Sequence, residues 1–278
     1  MAEEWTEAYT DFASVYDTFM DDTPYQEWAD FLAELISTYG ISKPHKNGEK
    51  ALEAESSEKE KLETEKDLVV DLGCGTGTLT ELLSRKGYDM IGVDMSAEML
   101  NVALAKKEKS GSPILYLCQD MRELDLYSTV GTVISVCDSV NYLLEDEEVL
   151  ETFGLVNNYL YPGGIFLFDF NTVYKYEQII GDTTIAENRE KCSFIWENYF
   201  YEDEMVNEYD LTLFIREESD LYRKYEELHY QKAYELEQVK ELLLQAGMEF
   251  VAAYDAFTHD PVTAESERMY IIARPKRI

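Results

Sequence analysis

The sequence predicts an α/β protein: a parallel sheet with helices on both faces, interrupted once by a small antiparallel sheet. Three observations predict it. From residue 67 onward, short continuous apolar runs alternate with helical periodicity. Residues 185–231 break that rhythm with three runs rich in aromatic and β-branched residues, joined by short polar turns. The chain has 278 residues, of which 45% are hydrophobic and 13% aromatic, enough apolar material for a core.

Taken in order, Trp5, Ala8, Tyr9, Phe12, Tyr16, Phe19 and Met20 recur at three- and four-residue steps and predict a first helix. A second starts at Thr23-Pro24-Tyr25-Gln26, with Thr23 as cap, Pro24 in the first turn and Gln26 closing a capping box. Its buried stripe is Tyr25, Trp28, Leu32, Leu35 and Ile36, and Gly40 stops it. Residues 43–66 are dominated by charge and read as an exposed, mobile linker. Then DLVVDLG forms a buried parallel strand and a helix closes at Gly87. YDMIGVD, PILYLCQD, GTVISVCD and YPGGIFLFDFN supply further strands, separated by a helix capped by Ser96 and by one carrying Val149, Leu150, Phe153 and Val156. After the hairpins, Leu236, Val239, Leu242 and Leu243 mark a last helix, stopped by Gly247. MEFVAAYDAF and ERMYIIARP end the chain as two strands. The organisation is therefore N-terminal helices 1–42, linker 43–66, core 67–184, inserted sheet 185–231 and a closing helix and hairpin 232–278.

Charge and composition exclude several classes. With 57 acidic against 24 basic side chains the net charge is −33, which opposes gripping nucleic acid or an anionic membrane. No run approaches the roughly 20 apolar residues of a membrane helix, and MAEEWTEAYTDF lacks the layout of a secretion signal. Four cysteines without C-x-x-C spacing and three scattered histidines predict neither a zinc cluster nor a disulfide framework, and fit a reduced, cytoplasmic protein.

The chemistry concentrates in Val69-Val70-Asp71-Leu72-Gly73-Cys74-Gly75-Thr76-Gly77-Thr78. A strand runs into three alternate glycines, where a ligand can lie against bare backbone. Thr78 stands where a dinucleotide fingerprint places its last glycine. Asp71 repels a pyrophosphate but attracts an ammonium group. The second strand ends in Asp94-Met95, and an acid there accepts both hydroxyls of a ribose. The third ends in Asp120-Met121, a carboxylate for an adenine amino group beside a soft apolar surface, and the fourth in Cys137-Asp138. Each acid alone also reads as a helix cap or a solvated turn. Together they fit an adenosine with a zwitterionic amino-acid tail: S-adenosylmethionine.

VVDLGCGTGTLT, GVDMSAEML, CQDMRELDL, ISVCDSVNYL and YLYPGGIFLFDF, in this order, resemble the class I S-adenosylmethionine-dependent methyltransferases with their Rossmann-like fold. The resemblance implies a seven-stranded sheet in the order 3-2-1-4-5-7-6 with the last strand antiparallel. Phe12 to Asp17 and the inserted sheet resemble the small-molecule subgroup, akin to glycine and sugar-amine N-methyltransferases. Carried over, the resemblance puts Asp71, Gly73, Cys74 and Gly75 around the methionine moiety, Asp94 and Met95 at the ribose, and Asp120 and Met121 at the adenine. Cys137, Asp138 and Tyr142 would line the methyl-transfer end, with Tyr9 and Tyr16 closing over the cofactor or simply packing in the core.

Methyl transfer asks the protein to align nucleophile, carbon and sulfur; a base matters more for an oxygen acceptor than for a neutral amine. Asp138, Glu197 and His229 are the candidate bases, the competing reading of His229 being a surface histidine. The small-molecule acceptor is expected beneath the inserted sheet, whose aromatics Phe194, Trp196 and Tyr209 suit a flat or cationic group or, alternatively, strand packing or a homodimer interface. Residues 187–227 hold 13 acids and 5 bases, which disfavours a polyanion. Two alternatives stand beside the methyltransferase: a non-catalytic cofactor-binding module, and a nicotinamide-dependent oxidoreductase, against which Asp71 and the missing last glycine count.

Overall fold

Alternation within the strands decides how this chain layers itself. In the computed structural model, which describes residues 9–45, 64–217 and 220–276, the sheet strands are β1 (Leu68–Leu72), β2 (Asp89–Asp94), β3 (Leu115–Cys118), β4 (Val130–Ser135), β5 (Leu160–Asn171), β10 (Met248–Asp255) and β11 (Arg268–Pro275). They lie in the order β3-β2-β1-β4-β5-β11-β10. The first five are mutually parallel, and β11 runs antiparallel to both β5 and β10. This is the expected 3-2-1-4-5-7-6 arrangement.

Successive residues of each strand serve opposite faces. Val70, Val133, Phe166, Phe168 and Ile271 pack with Val149, Phe153 and Val156 of the helix Asp146–Tyr159 and with Val239, Leu242 and Leu243 of the helix Leu236–Gln245. Val69, Ile134, Leu167 and Ile272 pack instead with Leu32, Leu35 and Ile36 of the helix Tyr25–Tyr39 and with Leu79 and Leu83 of the helix Thr78–Arg85. Two cores therefore sandwich one sheet, and the strands read as continuous apolar runs because both faces are covered. Ser96 caps the helix Ala97–Ser110 by accepting from the Met99 N–H, as expected.

The inserted sheet has four strands in sequence order: β6 (Thr184–Asn188), β7 (Cys192–Tyr201), β8 (Val206–Arg216) and β9 (Tyr222–Lys232), all antiparallel. The first is an addition to the three runs in the sequence; its short, largely exposed TIAEN carries little apolar signal. In β8 Tyr209, Leu211 and Leu213 are buried and face inward, in the expected alternation. Asn141 pins the insertion to the core: its amide donates to the carbonyls of Asn171 and Lys232, and its oxygen accepts from the Asn171 N–H.

The N-terminal segment departs from expectation. Instead of one helix there is a 3-10 turn (Phe12–Ser14) and a four-residue helix (Tyr16–Phe19), preceded by Tyr9 with φ +63°. Tertiary packing overrides local periodicity: Phe12, Val15 and Phe19 lie against Cys192, Phe194, Leu211 and Leu213 of the inserted sheet. Trp5 and Ala8 lie outside the described residues. Thr23 does not cap the second helix either; the helix starts after Pro24 with no side-chain cap, and the Thr23 hydroxyl turns toward the Met20 sulfur. Of the expected linker, residues 46–63 lie outside the described residues, while Lys43 and His45 are tied to Asp67 and Gly87. No helix among the described residues is long and apolar enough to cross a membrane.

Candidate active site

The carboxyl ends of β1 to β4 surround a cavity of about 350 Å³, within the range of small-molecule sites. Tyr16, Asp71, Gly73, Cys74, Gly75, Asp94, Met95, Met121, Cys137 and Tyr142 of the expected set all line it. The glycine loop follows β1 directly. The Gly73 and Cys74 N–H groups both donate to the Val93 carbonyl, which turns the chain beside β2. Gly73 (φ +80°) passes so close to Ser139 that a Cβ would sit 2.5 Å from its Oγ. Gly75 (φ +54°) is the opposite case: a Cβ would meet no atom within 4 Å, so bare main chain forms the cavity wall.

Two acids divide the labour. Asp71 is 2% exposed and accepts from the Thr80 hydroxyl at 2.6 Å. Burial pushes its carboxyl up to about 7 despite that bond. Asp94 Oδ2 accepts from the Gly75 N–H at 2.7 Å and Oδ1 from the Ser96 N–H at 2.9 Å, so it fixes the loop while keeping lone pairs for a ligand. Burial raises the Cys74 and Cys137 thiols, so both walls are neutral.

Asp120 is placed differently from the sequence expectation. Its carboxylate caps the turn Met121–Glu123 and is engaged by Arg122, whose Nε lies 3.0 Å from each oxygen. That guanidinium holds Asp120 below the usual carboxylate range. Gln119 and Met121, its neighbours on either side, reach the cavity, and Asp120 does not line it.

A second, smaller cavity of about 40 Å³ lies between the core and the inserted sheet. Asp138 and His229 line it together with Trp196, Tyr209 and Gln231. Tyr9 and Tyr142 belong to both cavities and form their common wall. Asp138 is not a free base: Arg268 pairs with it at 2.5 Å and Gln231 Nε2 donates to it at 2.7 Å. His229 is not a surface histidine; it is 5% exposed, with Nδ1 3.0 Å from the Tyr142 hydroxyl and Nε2 3.1 Å from Glu227. Glu197 alternates with the inward-facing Trp196 and lines neither cavity.

Sequence reasoning missed the residues that hold these groups in place. Cys137 and Asp138 both have positive φ (+62° and +56°), a strained pair costing on the order of 1 kcal/mol or more each. Their N–H groups donate to the carboxylate of Asp169, which Arg268 ties in turn to Asp138. Asp169 was visible as the lone acid in FLFDF. On the other flank Asp17 accepts from Thr76 at 2.7 Å and pairs with Lys106 at 2.6 Å, fastening the N-terminal segment over the glycine loop.

Residues 69–164 match the family model described as "Methyltransferase domain". The chain is 34% identical over 266 residues to the protein named Putative methyltransferase GWCH70_2453 of Geobacillus sp. (strain WCH70), covering 96% of this chain and 99% of that one. It is 33% identical to the protein named Putative methyltransferase YqeM of Bacillus subtilis (strain 168), covering 97% and 98%. Its fold matches the crystal structure of an S-adenosylmethionine-dependent methyltransferase from Clostridium acetobutylicum ATCC 824 with a TM-score of 0.80, at 26% identity, covering 98% and 100% of the two chains. A sugar N-methyltransferase, KedS8 from Streptoalloteichus sp ATCC 53650, shares the fold at a TM-score of 0.69 and 16% identity, covering 100% and 99%. A glycine loop with open main chain, a buried acid behind it and a second acid one strand away suit a zwitterionic nucleoside better than a pyrophosphate, and with these relatives they place the chain in the S-adenosylmethionine-dependent methyltransferase family.

Proposed function

We propose that this methyltransferase acts on a small-molecule acceptor, through nitrogen or oxygen, seated between the parallel-strand ends and the inserted sheet. The observation that carries the reading is the pair of cavities that share Tyr9 and Tyr142 among their lining residues, the larger built by the core and the smaller roofed by the insertion.

Bound S-adenosylmethionine supplies a methyl group already activated by its sulfonium charge. The chain's residues then position and dry the site. Asp71 would face the ammonium end, the Gly73–Gly75 main chain would lie along the amino-acid tail, and Asp94 with Met95 would take the ribose. Met121 and Gln119 would flank the base, Asp120 serving to hold the turn that carries Met121. The Cys137 and Asp138 turn, braced by Asp169 and Arg268, sets the floor where the two cavities meet.

The inserted sheet supports a small acceptor. Its inner face offers Trp196, Tyr209 and His229 to a confined space, and its excess of acids repels polyanions. The likeness in fold to a sugar N-methyltransferase points the same way. A screen with cofactor carrying a labelled methyl group, against amine and hydroxyl metabolites, tests the reading. Label in a low-molecular-weight product is expected; label confined to protein or nucleic acid would refute it.

A further inference from the structure

We propose that Tyr9, Tyr142 and His229 form a directed proton relay that draws the acceptor's proton from the wall shared by the two cavities to an imidazole backed by Glu227. The inference rests on the methyltransferase reading above and deepens it: the acceptor is one that arrives carrying a proton it can shed in mild alkali, a phenol- or enol-type hydroxyl or an ammonium.

The direction follows from one group. Glu227 is buried, which alone raises a carboxyl, yet His229 and main-chain N–H donors outweigh burial and hold it low. Those donors are the N–H groups of Tyr9 (2.9 Å), Asp11 (2.7 Å) and Phe12 (2.9 Å). An ionised carboxylate only accepts. Its contact with His229 Nε2 at 3.1 Å therefore places the ring hydrogen on Nε2. Nδ1 is then bare and accepts from the Tyr142 hydroxyl at 3.0 Å. The Tyr142 oxygen in turn accepts from the Tyr9 hydroxyl at 2.8 Å. Tyr9 is left with a lone pair, and it lines both cavities.

Burial pushes both phenols well above their ordinary range, so neither keeps a negative charge and the imidazole is the terminus. The charged groups around the relay come from several elements. Asp138, from the turn after β4 and paired with Arg268, and Asp94 from β2 face the phenols, and Asp11 lies beside Glu227; Cys137 and Tyr209 are neutral neighbours. In the step, the acceptor's O–H or N–H bond breaks and its proton joins the Tyr9 oxygen. Tyr9 passes its own proton to Tyr142, and Tyr142 passes its own to Nδ1. The electron pair stays on the acceptor as the attacking pair, one proton has moved, and nothing is oxidised or reduced.

The test uses the full chain labelled with 15N in its three histidines, with His229→Gln identifying the resonance. Hydrogen on Nε2 and a hydrogen-bonded bare Nδ1 are expected, with Tyr142→Phe shifting Nδ1 toward the unbonded position. Hydrogen on Nδ1 overturns the proposal. Single-turnover transfer of labelled methyl to a deproteinised small-molecule extract, from pH 6 to 9.5, gives the functional arm. Tyr142→Phe is expected to lose about 100-fold or more near neutral pH and to recover as the acceptor sheds its own proton in alkali. A loss equal at every pH, or no loss, overturns the relay. Calorimetry with S-adenosylmethionine on the wild type separates this from the parent reading, which alone fails if the cofactor does not bind.

Discussion

If Asp71 holds the cofactor's ammonium as proposed, it links cofactor affinity to pH. Without a cation beside it, its carboxyl is pushed up to about 7 by burial. An ammonium in the cavity holds the carboxylate ionised, so at acid pH binding must first expel a proton. With a free-state value of about 7 and the bound carboxylate kept ionised, the affinity falls by the factor 1 + 10^(7 − pH). Between pH 7.5 and pH 6 that is a loss of about eightfold, roughly 1.2 kcal/mol. The window stays at or below the titration of the ligand's own amine, near 8. Isothermal calorimetry in buffers of different ionisation enthalpy should show close to one proton released at pH 6 and about a quarter at pH 7.5. Asp71→Asn removes the slope and most of the affinity. It also tests the sign of the folding linkage. A carboxyl raised from 3.8 in the unfolded chain to about 7 when folded costs stability as pH rises through that interval, reaching on the order of 4 kcal/mol above it. Asp71→Asn is therefore expected to raise the melting temperature of the free protein at pH 8 and to change it little at pH 4. Cofactor affinity that is flat from pH 6 to 7.5, with no proton release, would refute the reasoning.

Three further outcomes follow from the same geometry. Asp94→Ala leaves the Gly75 and Ser96 N–H groups without their acceptor and should weaken cofactor binding by more than about 1–2 kcal/mol in calorimetry. Gly75→Ala meets no protein atom, so thermal unfolding should register only about 1–2 kcal/mol for the left-handed backbone, while cofactor affinity falls further because the new methyl occupies the cavity wall. Lys106→Met removes an ion pair to Asp17 whose partners are about a third exposed, worth no more than about 1 kcal/mol after screening; hydrogen exchange of residues 9–20 should accelerate, and the difference should shrink in high salt.

The parallel sheet was legible because its strands are covered on both faces, so Val69-Val70 and the Phe166–Phe170 stretch are apolar without a break. The glycine loop was legible because Gly73, Gly75 and Gly77 all take a positive φ, which other residues rarely adopt. The inserted sheet announced itself by alternation in β8 but concealed β6, which is short and solvated. Asp94 and Asp120 looked alike in sequence, each an acid at a strand end. What separates them is Arg122, two residues beyond Asp120, which claims its carboxylate; Asp94 is held instead by the main-chain N–H groups of Gly75 and Ser96, with no ion pair among the described residues. Asp138 failed as a free base for the same kind of reason: its partner, Arg268, comes from the far end of the chain. Pairings between residues 130 positions apart leave no periodic trace.

The N-terminal segment shows why a failed helix assignment carries physical content. Residues 12–20 have the apolar spacing of a helix, yet the chain breaks it into a 3-10 turn and a single helical turn. Pieces that short do not hold themselves together in water. Their conformation is imposed by anchors on three separate elements. Glu227 of β9 collects three N–H groups, Ser96 donates to the Tyr9 carbonyl, and Lys106 with Thr76 grips Asp17. A continuous helix would point its N–H groups along its own axis and leave Glu227 without donors. Glu227 would then lose the main-chain donors that, with His229, hold its carboxyl low against burial. The broken helix thus adds to the charge that orients His229, and through His229 the hydroxyls of Tyr142 and Tyr9 lining both cavities.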